Sequence, residues 1–213
     1  SSCSIATSMM ISPDDQERVD AIEQALLARW PETRIAPTTE RIAALVDILG
    51  SPQLTYPTIH VGGTNGKTTV STLLYQIFEA VGRDTGLIGT VETRIGAEAL
   101  KSSRTTPEAP ELQALAAVMR ERHMRHLVME VSSHALSLNR IKGSHFAIAA
   151  FTNLSQDHLD FHKDMDSYFA AKAQLFTSEY AEQGFINIDT EYGQRLASSG
   201  HIPVTTVSRS QKD

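Results

Sequence analysis

The sequence predicts an α/β fold: a mostly parallel sheet with helices on both faces, preceded by short helices. Three observations predict it. From residue 57 onward, apolar strand-like runs alternate with helix-like stretches. A glycine-rich turn, Gly63-Thr64-Asn65-Gly66-Lys67-Thr68-Thr69, stands between one such run and the helix-like stretch that follows. Before residue 57, apolar residues recur at helical spacing instead.

Residues 1–11 read as a tail. Ser12-Pro13-Asp14-Asp15 reads as a helix start, with a capping hydroxyl, a proline and first-turn acids. Val19, Ile22, Leu26 and Trp30 continue it at helical spacing until Pro31, and Trp30 reads as a packing residue. Ile42, Leu45, Val46 and Leu49 form a second amphipathic stretch, closed by Gly50 and Pro52. Strands are then predicted over Thr58–Val61, Gly86–Val91, His126–Val131, Phe146–Thr152, Gly184–Ile188 and Pro203–Val207. Helices are predicted over Thr68–Val81, Pro110–Arg122, Met165–Phe176 and Glu191–Ser198. This divides the chain into an N-terminal tail and helical segment, 1–56, and a sheet domain, 57–213. Ligands of such sheets sit at the carboxyl ends of the strands.

At 213 residues the chain can bury one sizeable core. Its 41% hydrophobic and 21% charged residues are those of a globular domain. A net charge of −6 argues against a general nucleic-acid binder. An anionic ligand must therefore be held by local groups rather than by an overall field. The single cysteine, Cys3, provides no disulfide framework. No apolar run approaches ~20 residues and no basic, apolar leader opens the chain. The expectation is a cytoplasmic protein with no membrane partner, and the pattern carries no reading of oligomeric state.

Strand, glycine-rich turn, helix is the context of a phosphate-binding loop. Glycines let backbone N–H groups curl around phosphate oxygens, and the helix start adds positive potential. Lys67 then reads as the β/γ-phosphate cation and the Thr68 hydroxyl as a Mg²⁺ ligand. The common G-x-x-x-x-G-K-[ST] form carries glycine where Val61 stands, which marks a subgroup. Glu130, ending a strand, is placed to hold Mg²⁺ or to cap a turn. The loop Phe151–His162 gathers Asn153, Asp157, His158, Asp160 and His162, with zinc and magnesium both conceivable. Lys101, Arg104, Thr105 and Thr106 read as a loop suited to a phosphate or sugar-phosphate, or simply as a solvated loop. Arg140 and His134 divide evenly between structural and functional readings. By composition Lys172, among small alanines, is a helix-surface lysine, with Phe169 and Phe176 facing the core.

From about residue 63 onward the chain resembles the central ATP-binding domain of the Mur ligases, in the tripeptide-synthetase branch that adds the third amino acid of the peptidoglycan stem. The blocks that carry the resemblance are Gly63–Thr69, Thr85–Val91, Thr105–Pro110, Met129–His134, Phe151–His162 and Tyr168–Phe176. The resemblance implies an ATP site at Gly63, Thr64, Asn65, Gly66, Lys67, Thr68 and Thr69, with Asn153 beside the nucleotide. It implies Mg²⁺ ligands at Thr68 and Glu130, and a second Mg²⁺ at His158. It implies a carbamylated lysine at Lys172, so that Lys67, Lys172 and His158 share the catalytic work. It implies a grip on a UDP-muramoyl-peptide at Thr105, Thr106, Ser132 and Arg140, with an amino acid as the second substrate. Leu26–Ile35, Arg41–Pro52 and Tyr56–Val61 resemble instead the start of a bacterial folylpolyglutamate synthase, whose substrate is folate-type. Gly62 stands where that family has alanine, and its serine-proline-histidine substrate loop is missing here. Both relatives carry a C-terminal domain that these residues do not contain. The implied activity is an acyl-phosphate, amide-forming ligase core. The alternatives are folylpolyglutamate synthase and a non-catalytic or engineered ATP-binding fragment.

Overall fold

The computed structural model describes residues 17, 21, 56–96, 98–156 and 161–209. The predicted helices around Val19–Trp30 and Ile42–Leu49 lie outside them, apart from the exposed helical residues Glu17 and Ala21.

Eight strands form one sheet in the order β4-β3-β2-β5-β1-β6-β7-β8. They are β1 (Thr58–Gly62), β2 (Thr85–Ile88), β3 (Glu92–Ile95), β4 (Glu98–Lys101), β5 (His126–Glu130), β6 (Phe146–Phe151), β7 (Ala181–Asn187) and β8 (Val204–Val207). The run from β2 through β8 is parallel. An antiparallel hairpin, β3–β4, continues the sheet beyond β2. That hairpin corrects the predicted strand Gly86–Val91, which stops at Ile88. The chain turns there because Gly89 N donates to Glu92 O and Thr90 N donates to Glu130 Oε1. Lys101 accordingly ends a strand rather than sitting in a loop.

Helices cover both faces. α1 (Lys67–Ala80) lays Val70, Leu74 and Phe78, spaced four apart, against Val61, Leu87 and Val128 of the sheet. Leu73 and Ile77, on the flank of that stripe, stay exposed, as does Val81 just past the helix end. α2 (Ala109–Glu121), α3 (Ser133–Ser137) and α4 (Met165–Ala173) contribute to the larger core on the other face, with Phe146, Tyr168, Phe176 and Ile186 fully buried. α5 (Glu191–Ala197) packs on β7. Asp164 caps α4, its Oδ1 accepting from Ser167 N at 2.7 Å. The predicted helix Met165–Phe176 tightens to a 3₁₀ turn over Gln174–Phe176.

Strand order and register position the site. β1 lies between β5 and β6, with Val61 paired to Glu130 and Gly62 to Phe151. The three connections leaving the carboxyl ends of β5, β1 and β6 therefore emerge side by side, where an open parallel sheet binds its ligands.

Candidate functional site

The turn after β1 is curled, with φ of +140° at Gly63 and +81° at Gly66. A Cβ on Gly63 would lie 2.0 Å from Thr152 Oγ1 and 3.0 Å from Asn153 O, so only glycine fits. The β6 connection holds this shape. Thr64 N donates to Asn153 O at 2.9 Å and Asn65 N to Asn153 Oδ1 at 3.0 Å. Thr152 Oγ1 and Asn153 Nδ2 both donate to Asn65 O, at 2.7 and 3.0 Å. Ser155 N donates to Thr64 Oγ1, which also stands 3.1 Å from the Tyr168 hydroxyl. Asn153 is thus a brace of the loop, and Thr152, Ser155 and Tyr168 are braces the sequence reading missed. Their partners lie about 90 to 100 residues away, so no local pattern could have flagged them.

α1 then starts at Gly66 with no side-chain cap. Val70 N donates to Gly66 O, and the N–H groups of Lys67, Thr68 and Thr69 have no intrahelical acceptor by the geometry of a helix start. They carry the positive end of a 14-residue helix. An open cavity of about 290 Å³ faces this helix start. Thr64, Lys67, Thr90, Thr105, Glu130 and Ser132 are among the residues that wall it.

Two ammonium groups converge on one carbonyl. Lys67 Nζ donates to Gly63 O and Thr64 O, both at 2.9 Å. Lys172 Nζ donates to Gly63 O at 2.7 Å and lies 4.9 Å from the Tyr168 ring centroid. Lys172 is 4% exposed, which overturns its reading as a helix-surface lysine. Composition misled because the burial is created by the β1 loop, 109 residues upstream. His60 is fully buried beneath them, edge-on to Phe146, and neither ring nitrogen has a hydrogen-bond partner among the described residues. Burial, then the charges of Lys172 and Lys67, hold its pKa well below that of an ordinary histidine.

The sign of that shift fixes a pH dependence. The unfolded imidazole takes up a proton as pH falls through about 6.5 while the folded one does not, so stability is lost below that pH, by up to ~1.4 kcal/mol per unit. Thermal melts from pH 7.5 to 5.5 are expected to fall more steeply for the natural chain than for His60→Leu. Parallel slopes would contradict the assignment.

Glu130 is 1% exposed and closely held. Its Oε2 accepts from Thr68 Oγ1 at 2.9 Å and from Thr90 Oγ1 at 3.1 Å, and its Oε1 from Thr90 N at 2.9 Å. The donor set of Thr68 and Glu130 is all oxygen and fits a hard divalent cation such as Mg²⁺. Among the described residues no three His, Cys, Asp or Glu side chains cluster as metal ligands. His158, Asp157 and Asp160 lie outside the described residues. His162 is buried, its ring stacked on Tyr168.

The residues suggested for substrate divide into two groups. Thr105 and Ser132 line the cavity. Ser132 Oγ also accepts from Ala135 N at 3.1 Å, capping α3. Thr106 is 1% exposed, donates to Glu130 O and accepts from Ser132 N, so it ties two connections together behind the cavity wall. Arg140 supports it, with Nη1 3.4 Å from Thr106 O and Nη2 2.8 Å from Glu108. His134 packs against Phe161, the rings tilted by 36° with centroids 4.1 Å apart. Lys101 and Arg104 line a different cavity of about 110 Å³ between the hairpin and α2.

Residues 61–213 match the Mur ligase middle domain. The UDP-N-acetylmuramoyl-L-alanyl-D-glutamate–2,6-diaminopimelate ligase of Corynebacterium glutamicum is 54% identical over 197 residues, covering 89% of this chain and 38% of that protein. A solved structure of a ligase of the same description is 29% identical with a TM-score of 0.65, covering 74% of this chain and 33% of that one. Mycobacterium tuberculosis folylpolyglutamate synthase, solved with ADP, shares the fold at 24% identity and a TM-score of 0.64, over 91% of this chain and 51% of that one. The chain spans about a third of the length of the curated relatives it matches.

Proposed function

The chain belongs to the Mur ligase family, through that family's middle domain, and on this footing we propose that it supplies the ATP- and Mg²⁺-binding core of an amide-forming ligase. One observation carries the reading. An uncapped helix start, a braced glycine turn and the Lys67 ammonium all border one cavity at the carboxyl ends of the strands. The ADP bound by a folylpolyglutamate synthase of the same fold supports a nucleotide as the ligand.

In the proposed reaction a substrate carboxylate oxygen attacks the γ-phosphorus of ATP and ADP leaves, giving an acyl phosphate. The amine of an amino acid then attacks the acyl carbon. The C–O bond breaks, inorganic phosphate departs, the nitrogen loses a proton, and an amide remains. The N–H groups of Lys67, Thr68 and Thr69 would bind phosphate oxygens, and Lys67 Nζ would exchange Gly63 O and Thr64 O for the terminal phosphates. Thr105 and Ser132 would orient the carboxylate substrate, with Thr106 and Arg140 holding their loops in place. Thr68 and Glu130 would hold Mg²⁺, which neutralises phosphate charge when bound. His158 and a carbamylated Lys172 are proposed as further ligands. Modification is required at Lys172, because the ammonium donates to Gly63 O and offers no lone pair. Residues 57–213 form the unit to which this function is assigned, with 1–56 as a separate segment.

The names of the curated relatives favour a UDP-muramoyl-dipeptide as the acceptor and an amino acid as the second substrate. The residues resembling the folate enzyme before Gly63 favour a second reading, folylpolyglutamate synthesis. Calorimetric titration in the presence of a non-hydrolysable ATP analogue and Mg²⁺ separates the two. Saturable binding of UDP-muramoyl-dipeptide is expected. Saturable dihydropteroate binding without muramoyl binding would reverse the assignment.

A further inference from the structure

Thr90 lies just past the end of β2, the strand next to the one that ends in Glu130. It contacts both oxygens of that buried carboxylate, through its N–H to Oε1 at 2.9 Å and its hydroxyl to Oε2 at 3.1 Å. The same hydroxyl stands 3.1 Å from Thr105 Oγ1. The preceding residue is shaped for this contact, since a Cβ on Gly89 would lie 2.7 Å from Glu130 Oε1. We propose that Thr90 is a positioning residue, which aims the Glu130 carboxylate at the divalent cation and links that carboxylate to the substrate-side hydroxyl of Thr105. The proposal rests on the reading of Thr68 and Glu130 as a Mg²⁺ site.

Donor supply at the carboxylate gives Thr90 this role. A buried carboxylate needs hydrogen bonds on its oxygens, and losing one is costly. Glu130 Oε2 has two hydroxyl donors, Thr68 and Thr90. Thr68 also has to serve the cation, so its orientation is shared between two tasks. Thr90 is the donor that can remain on the carboxylate while Thr68 serves the metal. Its hydroxyl has one proton and two lone pairs. That proton is shared between Glu130 Oε2 and Thr105 Oγ1, since the Thr90 hydroxyl is the donor towards both. The orientation of the metal carboxylate is thereby passed to a residue that faces the substrate.

The test measures ADP affinity calorimetrically in EDTA and in Mg²⁺, for the natural chain, Thr90→Val, Thr90→Ala and Thr90→Ser. The readout is the gain in affinity that Mg²⁺ provides. Removing one hydrogen bond to a charged group is expected to cut that gain about fivefold in Thr90→Val and Thr90→Ala. Thr90→Ser, which keeps the hydroxyl, is expected to restore it. Thr90 is exposed, so both hydroxyl-free variants are expected to fold, and matching melting temperatures check this. An undiminished Mg²⁺ gain in Thr90→Val and Thr90→Ala would overturn the positioning role while leaving the nucleotide site standing. Absence of ADP binding by the natural chain would overturn the proposed function itself, and this assignment with it.

Discussion

Lys67→Ala is expected to weaken Mg-ATP binding by about 100-fold or more. The Lys67 ammonium makes two hydrogen bonds to the loop's own carbonyls, at 2.9 Å each, on the wall of the cavity that the helix start faces. Transferred to phosphate oxygens, they become charge-assisted bonds of roughly 1.5–3 kcal/mol apiece, and two of them account for that factor. Lys67→Arg is not a rescue, because a planar guanidinium cannot follow the tight curl that a point-like ammonium reaches. The loop itself is expected to survive either substitution, since Thr152, Asn153 and Ser155 bond it independently of Lys67. Melting temperatures close to the natural value, alongside lost calorimetric heat, would show that binding rather than folding has been removed. Equal affinity in Lys67→Ala and the natural chain would refute the phosphate role.

Gly63→Ala is expected to carry a large stability cost. Two penalties add at this position. Alanine at φ of +140° occupies a backbone region open essentially to glycine, at a cost of about 1–3 kcal/mol. Its Cβ would also stand 2.0 Å from Thr152 Oγ1, and overpacking adds about 1–3 kcal/mol. A total of about 3 kcal/mol lowers the melting temperature of a chain this size by roughly 6–12 °C. Pairing Gly63→Ala with Thr152→Ala separates the two penalties. The double variant relieves the collision but not the backbone strain, so it is expected to recover part of the loss. Complete recovery would show that the backbone strain was negligible, and no recovery would show that the collision was.

The central architecture was legible because it is written in contiguous residues. The strands β1, β5 and β6 are apolar runs, and the glycine turn announces itself between β1 and α1. The hairpin β3–β4 was not legible. Each arm is four residues long, mixes polar with apolar positions, and lies towards the sheet edge, where one side needs no apolar cover. Gly89-Thr90-Val91 extends the strand pattern of β2 on paper, but the Glu130 carboxylate claims the Thr90 N–H and the chain turns away. α3 escaped notice because five residues carry little periodicity.

Within the site, legibility divides in the same way. Gly63–Thr69 and Glu130 could be read from motif and strand position. The roles of Thr90, Thr152, Ser155 and Tyr168 depend on pairings 40 to 104 residues apart, which sequence spacing does not encode. Thr106 and Arg140 were recognisable as members of the site, but their place behind the cavity wall depends on contacts with Glu130 O, Ser132 N and Glu108 that only the folded chain creates.

The most direct measurement is a titration of Mg-ADP into the isotopically labelled chain, followed residue by residue through its backbone amide resonances. Saturable shifts are expected at Gly66, Lys67, Thr68 and Thr69, with smaller ones at Asn153 and Glu130 and none around Lys101–Arg104. Saturation that perturbs the 101–104 cavity while the amides of 63–69 stay still would contradict the account.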